Sequence, residues 1–378
     1  MKILISVSNY PPLAGGLGVY SQNLGKALAK QGHQVRVLTL EGDSLEEEQA
    51  EGLSVIKIPR RLGYRDVFAT PLGQASLARI RSEIRVSDVV NAHTRYFPLT
   101  QISVALGRRA GVPVVLTEHG GGFVRSTSAL TTIGARFVDL TSGRRALQSA
   151  SQVLAVSHRG QDFIKELSGV DATIVGNGID LEFWNRSKAL GSSFHSSHEK
   201  GNLNVVFVGR LVAEKGWRPL LDAWRMLSSS VRENFRLVFV GDGPDLKKLR
   251  RLIVQSGFDD VVAMGHQPRQ VVRDLLCRGI LVNPSWASEG FQTTLLEARA
   301  LGVYVVSTAV GGASETITDP RYGHILDSTK PRDLASAIVQ ALPQAGFDVG
   351  RGAADQYEWS QVADRHLDAY STHVRSVA

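Results

Sequence analysis

The feature that most constrains the fold is a regular alternation of short apolar runs with longer helical patterns. In the first half, the strand-like runs KILISVS and QVRVLTL flank the helix-like GLGVYSQNLGKALAKQGH, and SDVVNAH, VPVVLTEH and SQVLAVS follow in the same order. Continuous β-branched runs are typical of strands that are buried on both faces of a parallel sheet. Strands separated by helices predict right-handed βαβ units, so the chain is predicted to belong to the α/β class.

The alternation pauses over residues 176–202, where Ser, Gly, Asn and His dominate the composition. This composition is typical of a linker, and the pattern then resumes with LNVVFVG, FRLVFVG, VVAMG, GILVNPS and VYVVST. We therefore predict two doubly wound domains, residues 1–178 and 203–356, with a linker region at 179–202. Such sheets bind ligands beyond the carboxyl ends of their strands, so we expect the site in the cleft between the domains.

Composition limits the function classes. The chain has 378 residues with 43% hydrophobic and 21% charged residues, as in a globular protein that is too long for one ordinary core. Its net charge of +7 permits an anionic partner: a nucleotide, a phosphorylated substrate, a membrane surface or nucleic acid. Nucleic acid is disfavoured as a partner, because the basic excess is small and basic residues do not alternate with aromatic ones.

The sequence also indicates a compartment. Cys277 is the single cysteine, so no internal disulfide can form, which fits a reducing cytoplasm. The start, MKILISVSNYPP, has too short an apolar region for a signal peptide, and no apolar run approaches the roughly 18 residues that span a bilayer. We expect a cytoplasmic protein, with contact to the cytoplasmic face of a membrane left open.

A glycine turn joins the first strand to the first helix. In PPLAGGLGVYSQNL, Gly15 and Gly16 can bring bare backbone N–H groups against a phosphate at a helix N-terminus. The stretch is not the dinucleotide fingerprint, because Ser21 stands where the third glycine would be. A tight turn that needs glycine only for its backbone conformation explains the motif equally well.

Two glutamates, Glu289 and Glu297, flank the start of a predicted helix in WASEGFQTTLLEARALG. Thr293 or Thr294 is a candidate N-cap, and backbone N–H groups cluster there, at Gly290, Phe291, Gln292 and Thr293. Carboxylates accept hydrogen bonds from paired sugar hydroxyls, and a helix N-terminus favours a diphosphate. The two acids would then hold the two sugar ends of a nucleotide-sugar. The alternative is a helix-start acid at Glu289 and a solvated helix residue at Glu297.

Several motifs in order carry a family resemblance. In the second half they are FVGRLVAEKGWRPLLDAW, FVGDGPDLKKL, MGHQP, VNPSWASEGFQTTLLEARALGVYVVSTAVGGASETI and YGHIL; in the first half they are SNYPPLAGGLGVYSQNLGKALAKQGHQVRVLT, VVNAH, VVLTEHG, VLAVS and GNGID. This series resembles the retaining glycosyltransferases of family 4. The resemblance implies the GT-B fold, in which two Rossmann-like domains face each other across a cleft. It also implies an N-terminal acceptor domain that a C-terminal helix at about 357–378 completes, and a C-terminal donor domain.

The resemblance assigns roles to single residues. It implies that Glu289 binds hydroxyls of the transferred sugar and Glu297 those of the ribose. It further assigns Arg210 and Lys215 to the pyrophosphate, Gly15 and Gly16 to a loop over the diphosphate, and His119, with His93 less clearly, to the neighbourhood of the reacting sugar. Without the resemblance, His119 would be interpreted as a structural histidine at a strand end. Arg210 and Lys215 would be interpreted as surface cations in a solvated loop. Gln292 departs from the glycine or proline of many relatives, and VVAMGHQP is expected to contact the base.

The resemblance also implies the reaction: retaining transfer of a hexose-type sugar from a UDP- or GDP-sugar donor to a hydroxyl, without a covalent intermediate. No Asp-x-Asp occurs in the sequence, so cations and amides would neutralise the leaving diphosphate. We expect neither a required metal nor a tightly bound cofactor. Two alternatives stay open: another GT-B enzyme, such as an epimerase or phosphorylase, and a non-catalytic sugar-nucleotide binding protein.

The acceptor is the least defined partner. The stretch GGGFVRSTSALTTIGARFVDLTSGRRAL lies where the family's acceptor region falls, and several arginines there or elsewhere in the first half form a candidate patch for a lipid-linked or phosphorylated acceptor at an anionic membrane: Arg60, Arg61, Arg108, Arg109, Arg125, Arg136, Arg144 and Arg145. Scattered solvated arginines are an equally good explanation. A glycan, a glycolipid and a small molecule all remain candidate acceptors.

Overall fold

A computed structural model of the chain describes residues 1–12, 15–61, 69–123, 129–190, 203–286 and 289–374. The chain divides into two compact units. Unit 1 comprises Met1–Gly178, Glu289–Phe291 and Trp359–Ala378, and unit 2 comprises Ile179–Ser288 and Gln292–Glu358.

Unit 1 contains a mostly parallel sheet with helices between its strands. Its strands are β1 Lys2–Ser6, β2 Gln34–Leu40, β3 Glu46–Ala50, β4 Leu53–Ile58, β5 Arg60–Arg61, β6 Thr70–Pro71, β7 Val89–His93, β8 Val114–Glu118, β9 Gln152–Ala155 and β10 Thr173–Ile174. Its first helices are α1 Gly16–Lys30, α2 Gly73–Arg85, α3 Pro98–Ala110, α4 Ala129–Val138, α5 Arg144–Ser149 and α6 His158–Ser168. A π-helical turn, Asp139–Gly143, joins α4 to α5.

The order of strands in the main sheet of unit 1 is β10-β9-β8-β7-β1-β2-β4-β3. All neighbours are parallel except β3, which pairs antiparallel with β4. The apolar strand β1 is central and buried, whereas the acidic β3 is exposed at the edge, where charge discourages further strand pairing. The chain leaves β1 in one direction and returns through β7 in the other, so the sheet is doubly wound around these two strands.

Unit 2 is built in the same way. Its strands are β11 Leu203–Val208, β12 Phe235–Val240, β13 Val261–Gly265, β14 Gly279–Asn283, β15 Val305–Thr308 and β16 Gly323–Leu326. Its helices are α7 Arg186–Leu190, α8 Trp217–Arg225, α9 Ser229–Arg232, α10 Leu246–Gln255, α11 Arg269–Cys277, α12 Thr293–Ala300, α13 Ala313–Thr316 and α14 Pro331–Ala341. The strand order β13-β12-β11-β14-β15-β16, all parallel, places the topological switch between β11 and β14.

The last helix, α15 (Trp359–Val374), belongs to unit 1 although the chain reaches it through unit 2. It packs against α1 and buries Val362, Ala363 and Tyr370 in the same apolar cluster as Leu24 and Ile5. Two parallel α/β sheets, one in each unit, confirm the predicted fold class. Among the helices of the described ranges, none combines the length and apolarity that crossing a bilayer requires.

Candidate active site

A pocket of about 340 Å³ opens in unit 2 at the carboxyl ends of β11 and β12. Its walls come from the two strand ends, from α11 and its preceding loop, and from α12; they include Arg210, Asp242, Gln267, Arg269 and Glu297. The carboxyl edge beside a topological switch point is where doubly wound sheets bind their ligands. The predicted stretch VVAMGHQP contributes His266 and Gln267 to the same pocket.

Glycines shape the floor of this pocket. Gly241 follows β12 with φ of +133°, and a Cβ there would collide with the carbonyl oxygen of Gly209 after β11. Gly243 has φ of +155°, and a Cβ there would also collide with the backbone of Leu211. Because only glycine tolerates both the conformation and the close approach, the two loops can meet and leave backbone exposed to a ligand.

Glu297 lies on α12 and is partly buried in the pocket wall. Loss of solvation raises the pKa of its carboxyl to about 7, and the positive charge of Arg269 opposes this rise. A freely solvated helix glutamate would keep a pKa near 4.5. The fold therefore holds a carboxylate in a costly environment, which is typical of functional sites.

Replacing Glu297 with glutamine is expected to raise the free energy of unfolding at pH 8 by about 1–3 kcal/mol, allowing for partial exposure. Between the unfolded pKa near 4.5 and the folded pKa near 7, the unfolded chain ionises while the folded one stays protonated. Wild-type stability therefore falls through this window as pH rises, whereas glutamine does not titrate. Urea unfolding from pH 5 to 8 measures the difference, with the exposed Glu233→Gln as control. A pH-independent difference would refute the raised pKa.

Arg210 and Lys215 occupy the loop after β11. Arg210 is exposed, lines the pocket, and has no ion-pair partner within the described ranges. Lys215 ends a short 3₁₀ turn, Ala213–Lys215. Its side-chain Cδ lies 3.9 Å from the point where a Cβ would stand on Gly209, which is another residue of the pocket wall. The loop thus brings positive charge to the strand end, where an anionic ligand would be stabilised.

The start of α12 differs in detail from the prediction. The helix begins at Thr293 and is preceded by Gln292, with no side-chain cap on its first turn. The backbone N–H of Gln292 donates to the carbonyl of Gly311 at 3.0 Å, so this amide is not available to a phosphate. The Gln292 side chain is buried: its Oε1 accepts from Asn283, and its Nε2 has no hydrogen-bond partner among the described residues.

The segment Glu289–Phe291 belongs to unit 1, where it lies against the loop after β8. A Cβ on Gly290 would collide with the carbonyl oxygen of His119, and a Cβ on Gly121 would collide with the carbonyl oxygen of Glu289. Ser157 Oγ also donates to the carbonyl of Gly290. Two predicted site residues, Glu289 and His119, are therefore neighbours because glycines allow the two backbones to touch.

His119 and His93 form a pair at the carboxyl ends of β8 and β7, in which His93 is buried and His119 is partly buried. His93 Nδ1 lies 2.9 Å from His119 Nε2, and the ring of Tyr20 meets His119 edge-on at 4.6 Å. Burial lowers the pKa of His119 to about 4 and the pKa of His93 well below its usual value. Both imidazoles are therefore neutral near pH 7 and act as hydrogen-bonding groups, not as charges.

The sequence did not predict the hydrogen-bonded side chains that lie beside the His93–His119 pair. The Tyr20 hydroxyl lies 2.9 Å from His366 Nε2, and the Tyr370 hydroxyl lies 3.1 Å from His366 Nδ1. Burial lowers the pKa of His366 to about 3. Tyr20 and His366 are 346 positions apart, and no local pattern links them. The only indication was the expectation that a C-terminal helix completes the first domain.

A buried charge cluster beneath the histidines was also missed. Arg95 lies 2.9 Å from Glu118 and 3.0 Å from Asp139, and all three side chains are shielded from solvent. Glu118 additionally accepts the backbone N–H of Gly120 at 2.7 Å, directly after His119. The cluster therefore orients the loop that carries His119. The acidic residue beside His119 and the arginine two positions after His93 were the available signals.

The glycine turn keeps its helix end open. α1 begins at Gly16, with Gly15 as its N-cap at φ of +153°, and no side chain caps the first turn. Among the residues that the structure describes, none comes within 4 Å of a Cβ built on either glycine. The positive φ explains the need for glycine at Gly15, whereas the open space at Gly16 leaves room for a ligand against the helix N-terminus.

The predicted acceptor arginines are spread over several elements of unit 1. Arg108, Arg109 and Arg145 line a groove of about 530 Å³ between α3 and α5. Arg144 begins α5, and Arg136 lies 4.8 Å from the ring centre of Phe123. Arg60 and Arg61 form the short strand β5. Arg125 lies outside the described residues.

Two doubly wound units, with a pocket of basic and acidic residues at the strand ends of unit 2, define the class: these are the α/β domains of the GT-B glycosyltransferases. A family model described as "Glycosyltransferase Family 4" matches residues 14–183, and one described as "Glycosyl transferases group 1" matches residues 202–344. The chain belongs to glycosyltransferase family 4, as the sequence resemblance predicted.

Individual relatives agree. The chain is 30% identical over 373 residues to the putative teichuronic acid biosynthesis glycosyltransferase TuaC of Bacillus subtilis, covering 90% of this chain and 88% of TuaC. It is 29% identical to a D-inositol 3-phosphate glycosyltransferase of Arthrobacter, covering 96% and 91%. The crystal structure of Anabaena HepE in complex with UDP superposes with a TM-score of 0.75 at 18% identity, covering 98% of this chain and all of HepE. The protein is a glycosyltransferase of glycoconjugate biosynthesis.

Proposed function

We propose that the protein is a retaining hexosyltransferase that uses a UDP- or GDP-sugar and needs no metal ion. The observation that carries this proposal is the placement of Arg210 and Glu297 in one pocket at the carboxyl edge of the unit 2 sheet. The pocket combines a positive group for a diphosphate with a carboxylate for sugar hydroxyls. The similarity to a structure bound to UDP supports a nucleoside diphosphate as the ligand class.

In this proposal unit 2 is the donor domain. The base lies near His266 and Gln267, and Glu297 accepts hydrogen bonds from the ribose hydroxyls. Arg210 and Lys215 bind the diphosphate and stabilise the charge that it gains as the sugar leaves. The buried Nε2 of Gln292 lacks a hydrogen-bond partner in the described structure. It is therefore available to donate a hydrogen bond to an oxygen of the nucleotide-sugar. The absence of Asp-x-Asp in the sequence supports this metal-free arrangement.

Unit 1 then acts on the transferred sugar and the acceptor. Gly15 and Gly16 cover the diphosphate, Glu289 accepts hydrogen bonds from the sugar, and His119 contacts it as a neutral imidazole. The bond from the anomeric carbon to the diphosphate breaks while the acceptor oxygen bonds to the same face. The acceptor proton passes to a diphosphate oxygen, so no protein base is required. Configuration is thereby retained without a covalent intermediate.

For the acceptor, we propose a hydroxyl of a lipid-linked or phosphorylated molecule at the cytoplasmic face of a membrane. The relatives named for teichuronic acid and for inositol phosphate support polyanionic or phosphorylated acceptors as a class. A sugar-nucleotide epimerase would convert the donor without any acceptor, and a non-catalytic binding protein would not release nucleoside diphosphate. Product analysis with and without acceptor separates the three.

The test of the proposal is a calorimetric binding screen of UDP, GDP, ADP and their sugars. We expect a clear preference for one diphosphate. Glu297→Ala should weaken its binding by about 1–3 kcal/mol, the cost of leaving a ribose hydroxyl pair without its acceptor. The exposed Glu233→Ala, in the same unit but outside the pocket wall, is the matched control. Unchanged affinity in Glu297→Ala would contradict the ribose assignment.

A further inference from the structure

One helical segment of unit 1 exposes three large apolar side chains. The segment comprises α4, the π-helical turn and α5, and in it Ile133, Phe137 and Leu140 are 66%, 68% and 48% exposed. Spacings of four and three residues place them on one face of a helix. A surface helix normally turns such a face toward the core, so an exposed apolar stripe indicates an interaction surface.

The stripe lies among positive charges. Arg136 and Arg144 are exposed on the same segment, and Arg108, Arg109 and Arg145 line the groove between α5 and α3. α3 contains no acidic residue, and residues 129–149 contain only Asp139, which is buried against Arg95. Within the described ranges, none of these five arginines forms an ion pair. The surface therefore combines exposed apolar area with unbalanced positive charge.

We propose that this surface, formed by Ile133, Phe137, Leu140 and the five arginines, docks on an anionic lipid bilayer. We refer to it as the apolar-basic face. Apolar side chains partition into the boundary between headgroups and acyl chains, and arginines bind lipid phosphates; each signal alone gives weak binding, whereas the two together anchor a protein. The inference rests on the proposed function and deepens it, because it names the surface at which a lipid-linked acceptor would be met.

A second copy of the chain fits the face less well than a bilayer does. Closed dimers usually use the same patch on both partners, so a symmetric contact would place arginines opposite arginines. Like charges across an interface oppose association, and the face carries no exposed carboxylate that could balance them. A bilayer that contains anionic lipid supplies both the missing negative charge and an apolar layer.

Flotation of the full-length protein with vesicles tests the proposal. We expect binding to vesicles of phosphatidylcholine with phosphatidylglycerol at about 50 mM salt, and at least about tenfold weaker binding to pure phosphatidylcholine or at about 500 mM salt. The variants Ile133→Ser/Phe137→Ser/Leu140→Ser and Arg108→Gln/Arg109→Gln/Arg145→Gln should each reduce binding about tenfold or more. The control Leu45→Ser/Val86→Ser removes two other exposed apolar residues of unit 1 and should bind as wild type.

Three outcomes would overturn the proposal. The first is no flotation of the wild type, and the second is wild-type flotation by both triple variants. The third is a concentration-dependent dimer that the apolar variant dissociates, without flotation; it would assign the face to self-association. Thermal melting of each variant verifies folding. Nucleoside diphosphate binding should be unchanged in all of them, so failure of docking and failure of the proposed donor site give different results.

Discussion

Replacing Arg210 with alanine is expected to lower kcat for nucleoside diphosphate release from the preferred donor by about 10²–10³-fold, the usual effect of losing one group that stabilises developing charge. The exposed Arg210 guanidinium lies on the wall of the unit 2 pocket and has no ion pair within the described structure, so its charge is available to the leaving diphosphate. Steady-state release assays on the purified protein measure the effect.

The matched control is Arg218→Ala. Arg218 is a partly exposed arginine of unit 2 that pairs with Asp222 along α8 at 3.0 Å and does not belong to the pocket wall. Its replacement should leave kcat within about twofold, because a surface ion pair contributes little. If Arg210→Ala and Arg218→Ala were equally active, Arg210 could not have the proposed role in departure of the diphosphate.

Replacing Arg95 with methionine is expected to destabilise unit 1 by about 3–5 kcal/mol. The change keeps most of the apolar volume over the Phe163 ring, which lies 4.6 Å from the guanidinium, but leaves Glu118 and Asp139 buried without their cation. The loop after Glu118 should also lose its orientation, and His119 with it. Urea unfolding measures the loss of stability.

A compensating variant separates charge from packing. Arg95→Met/Glu118→Gln/Asp139→Asn removes all three charges, so it should recover a large part of the lost stability. The exposed Lys165→Met, which breaks the surface pair with Asp171, should cost less than about 1 kcal/mol. If Arg95→Met were no more damaging than Lys165→Met, the cluster would not contribute to stability as described.

Arg95 also illustrates why the protein would keep a buried charge cluster near its site. Buried ion pairs are rarely the most stable way to fill a core, so their retention favours a role in specificity or geometry. Here Glu118 accepts both the backbone N–H of Arg95 and that of Gly120, and these bonds bracket the strand end that presents His119. The cluster therefore positions the loop that carries the histidine.

The sequence by itself determined the two α/β units and predicted the sheet edge at which a ligand should bind. Strand and helix periodicity are local properties, and parallel strands separated by helices can form only a few topologies. From the sequence alone, Arg210 could therefore be placed after the strand LNVVFVG, and Glu297 on the helix that follows the strand GILVNPS. Family motifs, which are also local, identified the glycosyltransferase class.

The tertiary structure decided what depends on packing between distant segments. Three features arise where elements far apart in sequence meet. They are the partial burial of Glu297, the hydrogen bond from the Gln292 backbone N–H to a carbonyl, and the contact of Tyr20 with His366. The exposure of Ile133, Phe137 and Leu140 was equally hidden, since an apolar helical face normally predicts a core position. Solvation and pKa follow from the surroundings of a side chain, and only the folded chain supplies them.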